Sequence, residues 1–260
     1  MSTTWYCCRQ RAGPLVKECR ALRPRFSPDD TDDDHSAKSR VKKYERCAVN
    51  RRQVDRLELH LALLGEHGTM YTLTFDADHL PQDFNGVRRA LRSFFGRVRR
   101  WRAGMGKPPN IDYIYCIEGL HGARRYHVHL ILRDDELCPT EVRFLWRNGI
   151  VDDEPVLHKK RVIDPQTGER VTVYADGYRR IAEYLNKERT DGHVIPIGRH
   201  PWSCSRTLSA KLPPALKWRD DSGVIPVPDS ALWSRHGQYG NDFGAYYYAS
   251  WIEPQPRATN

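Results

Sequence analysis

Several things are missing from this 260-residue sequence, and each absence removes a class of protein. No apolar run approaches the roughly 20 residues of a membrane span, and the mean hydropathy is −0.71, so a soluble protein without membrane partners is expected. The first ten residues lack the apolar stretch and small-residue cleavage site of a secretory leader, which points to the cytoplasm. The seven cysteines are odd in number, without Cys-x-x-Cys or framework spacing, and suit a reducing compartment. No internal repeat is present. Acidic residues are absent from Gly86 to Arg102, where seven arginines are interleaved with Phe94, Phe95 and Trp101.

What is present is positive charge. A formal net charge of +9 favours a polyanionic partner, because each Lys or Arg that neutralises a phosphate releases a condensed counterion. The arginine stretch reads as a helix, with Phe84, Val87, Leu91, Phe94, Val98 and Trp101 on one stripe and Asp83 as N-cap. Its other face carries Arg88, Arg89, Arg92, Arg99 and Arg100, read as a phosphate-tracking surface and otherwise as a solvated helix face.

Composition divides the chain into three. Residues 1–50 combine cysteines, arginines and prolines with the acidic run Asp29–Asp34, and are expected to be a partly disordered extension. Residues 51–210 carry alternating helix and strand patterns. A helix from about 40 to 64 buries Val54, Leu57, Leu61 and Leu64, and the run Met70–Phe75 is a first strand. A short helix opens at Pro139-Thr140-Glu141, and a hairpin turns at Asp164–Gly168 between Val156–Ile163 and Arg170–Tyr174. Asp176 is the expected cap of a helix over 177–189. Residues 211–260, rich in Pro, Gly and aromatics, are expected to be an irregular tail.

The chemistry concentrates between Ile111 and Leu132, where two β-rich runs flank Gly119 and Gly122 as a hairpin. His127 and His129 are separated by one residue, so both imidazoles leave the same face of a strand. A hairpin centred between Gly122 and Ala123 places Glu118 opposite or close to His127. Two imidazoles and a carboxylate suit a divalent ion with open positions, and they equally suit hydrogen-bonded histidines without a ligand. For a phosphate substrate the hard oxygens favour Mg²⁺ or Mn²⁺, with Zn²⁺ permitted by the donors alone. On the 177–189 helix, Tyr184 and Lys187 lie one turn apart, a nucleophile and a cation to assist it. The segment Gly198–Leu208 adds Arg199, Trp202 and Arg206, residue types that bind phosphates and stack on bases. Trp202 and Tyr126 suit a protein core equally well.

Three motifs in order, Tyr71-Thr72-Leu73-Thr74-Phe75, Tyr126-His127-Val128-His129-Leu130 and Tyr184-Leu185-Asn186-Lys187, resemble those of rolling-circle replication initiators of the HUH endonuclease superfamily. Ser203-x-Ser205-Arg206-x-Leu208 adds a likeness to the replication proteins of single-stranded DNA phages. The resemblance spans about 51–208 and implies an α+β fold of the RRM-like kind: a central antiparallel sheet of about five strands with helices on one face. It implies that Glu118, His127 and His129 hold the metal, that Tyr184 attacks phosphorus and that Lys187 assists. Nicking single-stranded DNA at a replication origin would leave a 5′-phosphotyrosine and a free 3′-OH, with host polymerase and helicase as partners in a bacterial cytoplasm. The second tyrosine of some relatives is replaced here by Arg180, with Tyr178 and Tyr174 as fallback nucleophiles. The faint echo of microvirus-type cysteine pairs lacks any Cys-x-x-Cys, so Cys7, Cys8, Cys19 and Cys47 are expected as free thiols in preference to a zinc site. A single-tyrosine transposase and a non-catalytic binding protein on the same fold are the competing readings.

Overall fold

The computed structural model describes residues 4–22, 51–65, 68–119, 125–133, 135–157, 159–163, 168, 170–174, 177–187, 202–241 and 244–254. The chain is α+β, as expected, and compatible with an HUH-like fold. It divides into two compact units, one of residues 54–158 and 178–211, the other of 1–53, 159–177 and 212–260.

The first unit is built on a five-stranded antiparallel sheet. Its strands are β3 (Gly68–Leu73), β4 (Tyr113–Glu118), β5 (His127–Arg133), β6 (Val151–Pro155) and β9 (Trp202–Cys204), and across the sheet they run β6-β3-β5-β4-β9. The helices are α1 (51–64), α2 (Phe84–Gly104), α3 (Pro139–Leu145), α4 (Arg179–Leu185) and α5 (Arg206–Ala210). In α2 the Asp83 side chain accepts a 2.7 Å hydrogen bond from the Gly86 amide, the expected cap. Val87, Leu91, Phe94 and Val98 are buried against Tyr71, Leu73, Val128, Leu130 and Leu132, and each such burial contributes about 1.5–3 kcal/mol. Gly149, after α3, admits the β3 exit strand, because a Cβ there would stand 2.5 Å from the Thr74 carbonyl oxygen.

Helices cover both faces of this sheet, which corrects the expectation of one. The α2 side takes Val128, Leu130 and Leu132. On the other side Cys116 of β4 donates its thiol to the Leu185 carbonyl of α4 at 3.2 Å. The reason is visible in β5 itself: Val128 to Leu132 are all buried, and a near-continuous apolar strand needs cover on both sides. A second correction concerns α4, whose N-cap position is Tyr178; Asp176 lies outside the described residues.

The other unit contains a ribbon of β7 (Lys159–Ile163) with β8 (Arg170–Tyr174), the expected hairpin, and a second five-stranded antiparallel sheet. Here strands stand where an irregular tail was expected at 211–260, and within the extension 1–50 the described residues are ordered, while 23–50 lie outside the described residues. Residues 5–22 form a tight hairpin of β1 (Trp5–Ala12) and β2 (Leu15–Leu22), turned by Gly13 at φ 53° and Pro14. The supposed irregular tail supplies β10 (Leu216–Asp220), β11 (Trp233–Asn241) and β12 (Gly244–Ile252), with Tyr246, Tyr247 and Tyr248 inside the last. The sheet order is β10-β1-β2-β12-β11. Its strands pair from opposite ends of the chain, Trp5 with Asp220 and Val16 with Trp251, so local pattern does not disclose them. Strand alternation sends Cys7 to the face opposite Cys8 and Cys19, which argues against these three sharing one ion; Cys47 lies outside the described residues.

Candidate metal centre and tyrosine

The β4–β5 register sets Glu118 directly opposite His127 and Cys116 opposite His129, while Thr72 of β3 flanks His129 on its other side. Glu118 Oε2 lies 3.1 Å from His127 Nε2, and Oε1 lies 3.2 Å from His129 Nε2. Glu118 and His129 are buried, at 2% and 3% exposure, and His127 is half-buried.

The ring orientations are set from behind. His127 Nδ1 faces the Arg125 carbonyl at 3.1 Å, which requires a proton there, and so directs Nε2 at the carboxylate. His129 Nδ1 pairs with Thr72 Oγ1 at 3.2 Å, leaving its Nε2 on the same side. With Nδ1 carrying its proton, His127 Nε2 cannot face a carboxylate oxygen as one acceptor against another, so a second proton or a cation is needed between them. Ligand atoms of Glu118, His127 and His129 all lie within 4.8 Å of one another, and the buried Glu118 Oε1 makes no well-directed hydrogen bond. The group could therefore hold a metal ion, and among the described residues it is the one such trio. Burial opposes ionisation of Glu118, but the contacts with His127, His129 and Lys187 outweigh it and hold the carboxyl well below the usual carboxylate range. Glu118 in turn raises the His127 imidazole against the opposing effect of burial.

Helix α4 brings the tyrosine to this group. Its position is held by the Cys116 thiol and by Arg179, which reaches Asp55 of α1 at 2.7 Å and Glu183 one turn on at 2.7 Å. The Tyr184 hydroxyl lies 3.3 Å from His129 Nε2, and Tyr184 is 40% exposed, open to a substrate. Lys187 Nζ lies 2.9 Å from Glu118 Oε2 and 3.6 Å from the Tyr184 ring centroid. Burial works against its charge, but Glu118 and Tyr184 raise its pKa. The fallback Tyr178 is fully buried, and Tyr174 belongs to β8 in the other unit. Arg180 is exposed.

The expected cationic surface is elsewhere. Arg88, Arg89, Arg92, Arg99 and Arg100 are exposed, but α2 packs on the sheet face opposite the histidines. Arg206 is exposed and shares a cleft of about 380 Å³ with Arg99 and Phe95. Trp202 departs from its assignment as a stacking platform: it is 8% exposed, its ring 5.4 Å from that of His60, so the indole is core. Tyr126 packs at the edge of the core, and Arg199 lies outside the described residues. Thr72, the Arg125 carbonyl and Cys116 were not anticipated. Thr72 had a signal in the alternation of β3, which turns it away from Tyr71 and Leu73, but its partner depends on a pairing that the pattern leaves open.

Residues 68–189 match the family model for replication-associated proteins of the ORF2 type, consistent with a rolling-circle replication initiator. No curated protein and no solved structure matches the chain.

Proposed function

From the match of residues 68–189 to the ORF2-type family of replication-associated proteins, we propose that the chain initiates replication by nicking and rejoining single-stranded DNA at an origin. The observation that carries this reading is the tyrosine hydroxyl 3.3 Å from His129 within the Glu118–His127–His129 group. An isolated Tyr-x-x-Lys on a helix is ordinary; one delivered to a carboxylate and two converging imidazoles is not.

Glu118, His127 and His129 hold a divalent ion, Mg²⁺ or Mn²⁺, which when bound supplies Lewis-acid polarisation of the scissile phosphate. Tyr184 is the nucleophile. Its oxygen bonds to phosphorus, the bond from phosphorus to the 3′ oxygen breaks, the phenolic proton departs and the 3′ oxygen is protonated. The products are a 5′-phosphotyrosine and a free 3′-OH, which a host polymerase extends once a helicase opens the duplex. Lys187 offsets negative charge on the attacking oxygen and on the phosphate. Because the phosphotyrosine conserves the energy of the broken ester, the reverse step joins ends. Arg206, and Arg199 with it, are proposed to contact the strand beyond the cut. The intact tyrosine chemistry favours this over a binding protein on the same fold.

The test is incubation with a pool of single-stranded oligonucleotides and Mn²⁺, read by denaturing gel and mass spectrometry. The expected result is a covalent adduct on Tyr184 that Tyr184→Phe and His127→Ala both lose. Absence of any cleavage with Mn²⁺, or cleavage unchanged in those variants, rejects the enzyme reading.

A further inference from the structure

On the side of the sheet away from Tyr184, α2 and α3 enclose an open cleft of about 890 Å³, lined by Arg92, Arg97, Arg100, Arg147, Trp101 and Phe144. Its four guanidiniums make no ion pair among the described residues. Arg97 is fixed by a 2.8 Å hydrogen bond from Nε to the Leu145 carbonyl, which leaves its buried Nη2 without a partner among the described residues. Burial, then the positive charges of Arg147 and Arg100, press the Arg97 pKa downward, the electrostatic signature of cations gathered without a counter-charge. Guanidiniums gathered without an acid favour an anion in the cleft, where the exposed Arg92, Arg100 and Arg147 can reach it.

The lip of the cleft is aromatic. Phe144 is 56% exposed, its ring 5.4 Å from Trp101, with the Arg147 guanidinium 5.9 Å from its centroid. Anion-ready guanidiniums beside an exposed ring match a phosphate and a base respectively, the pairing that single-strand binding sites use. The site fits a polymer better than a free nucleotide. The cleft is open, and the exposed arginines continue along α2 past it, through Arg88, Arg89 and Arg99. It is also separate from the candidate nicking site: α2 packs on Val128, Leu130 and Leu132, and the alternating His127 and His129 face the other way.

We infer that the α2–α3 cleft is a second single-stranded DNA subsite, which holds a stretch of strand outside the segment presented to Tyr184. It rests on the replication reading for the identity of the polymer, and on the cleft's own chemistry for the binding. A nickase must keep hold of the strand while the 3′ end is extended. A contact on the far face of the sheet does so without occupying the cleavage site.

The experiment measures binding of fluorescein-labelled oligo-dT of 30 nucleotides to the full chain by anisotropy across a salt series, for the wild type, Phe144→Ala and Arg147→Glu. Both side chains are exposed and neither belongs to the core. About a tenfold loss of affinity is expected for each variant, with unchanged thermal midpoints and unchanged Mn²⁺-dependent cleavage of a short oligonucleotide. For Arg147→Glu the log–log salt slope should also become shallower by roughly 0.7. Affinities within twofold of the wild type in both variants overturn the inference. The two readings fail separately: a wild type that cuts nothing while the variants lose affinity rejects the nickase and leaves the cleft, and a wild type that cuts while the variants bind as tightly rejects the cleft alone.

Discussion

Tyr184 and His129 stand 55 residues apart in the chain, yet the phenol oxygen and the imidazole Nε2 are 3.3 Å apart, with the two rings nearly edge to face at 69°. Neither residue is informative by itself. Their contact joins a helix to the middle of a sheet and sets a partly exposed phenol beside a carboxylate and two imidazoles.

Removing the proposed nucleophile should separate chemistry from folding. Tyr184→Phe deletes one partly exposed hydroxyl and keeps the ring over which Lys187 sits, so its thermal midpoint should stay close to that of the wild type. Strand cleavage, followed on denaturing gels, should fall by at least about a thousandfold. Residual cleavage within tenfold would move the nucleophile to another residue.

Thr72 orients His129 from behind, through the 3.2 Å contact with Nδ1. Replacing it with Val keeps the strand-favouring shape and removes the oxygen. Titration calorimetry with Mn²⁺ should show a loss of about 10–100-fold in affinity, the usual effect of deleting a partner behind a ligating histidine. An unaltered titration would mean that packing alone aims the ring.

Asp112 provides a pH signature away from the metal group. It is buried at 5% exposure and accepts from Ser205, Thr207 and Lys211, tying the start of α5 to the approach to β4. Burial raises its pKa, but Lys211, Thr207 and Ser205 together bring it below the ordinary 3.8. A carboxyl depressed on folding adds stability that is complete above its unfolded pKa and is lost as pH falls through the folded value. Denaturant melts should thus show stability dropping below about pH 4. Asp112→Asn should be flatter there and about 1–3 kcal/mol less stable at pH 7. Parallel acid limbs in the two proteins would contradict this.

The cap of α2 carries a simpler expectation. Asp83→Ala leaves the Gly86 amide without its 2.7 Å partner and should cost about 1 kcal/mol in urea unfolding. An effect under about 0.3 kcal/mol would mean that the core contacts of this 21-residue helix leave its first turn nothing to lose.

The elements that repeat a period over many residues were the ones legible beforehand. Helix α2, with Asp83 and the Val87–Leu91–Phe94–Val98 stripe, matches its expected stripe and cap, and so do β3 and the β7–β8 hairpin. The opposition of Glu118 and His127 followed from strand period and turn position. What stayed hidden depends on distant partners. The second sheet brings residues 5–22 beside 216–252, and the aromatic and glycine content of its strands mimics an irregular tail until the pairing is known. Trp202 illustrates the same limit on a single residue: an indole suits a base or a core, and the neighbouring His60, supplied by α1, settles it as core.

By itself the sequence determined the parts: a basic chain, two histidines on one strand face, a carboxylate in register with one of them, and a tyrosine and lysine one helical turn apart. These follow from periods of 2 and 3.6, which are local properties of the backbone. Only the tertiary structure decided which face each part serves. It carried α4 across to the histidine face and left the arginines of α2 on the other, because β5 is buried on both faces, with Val128, Leu130 and Leu132 on one and His129 and Ile131 on the other, and each had to be covered.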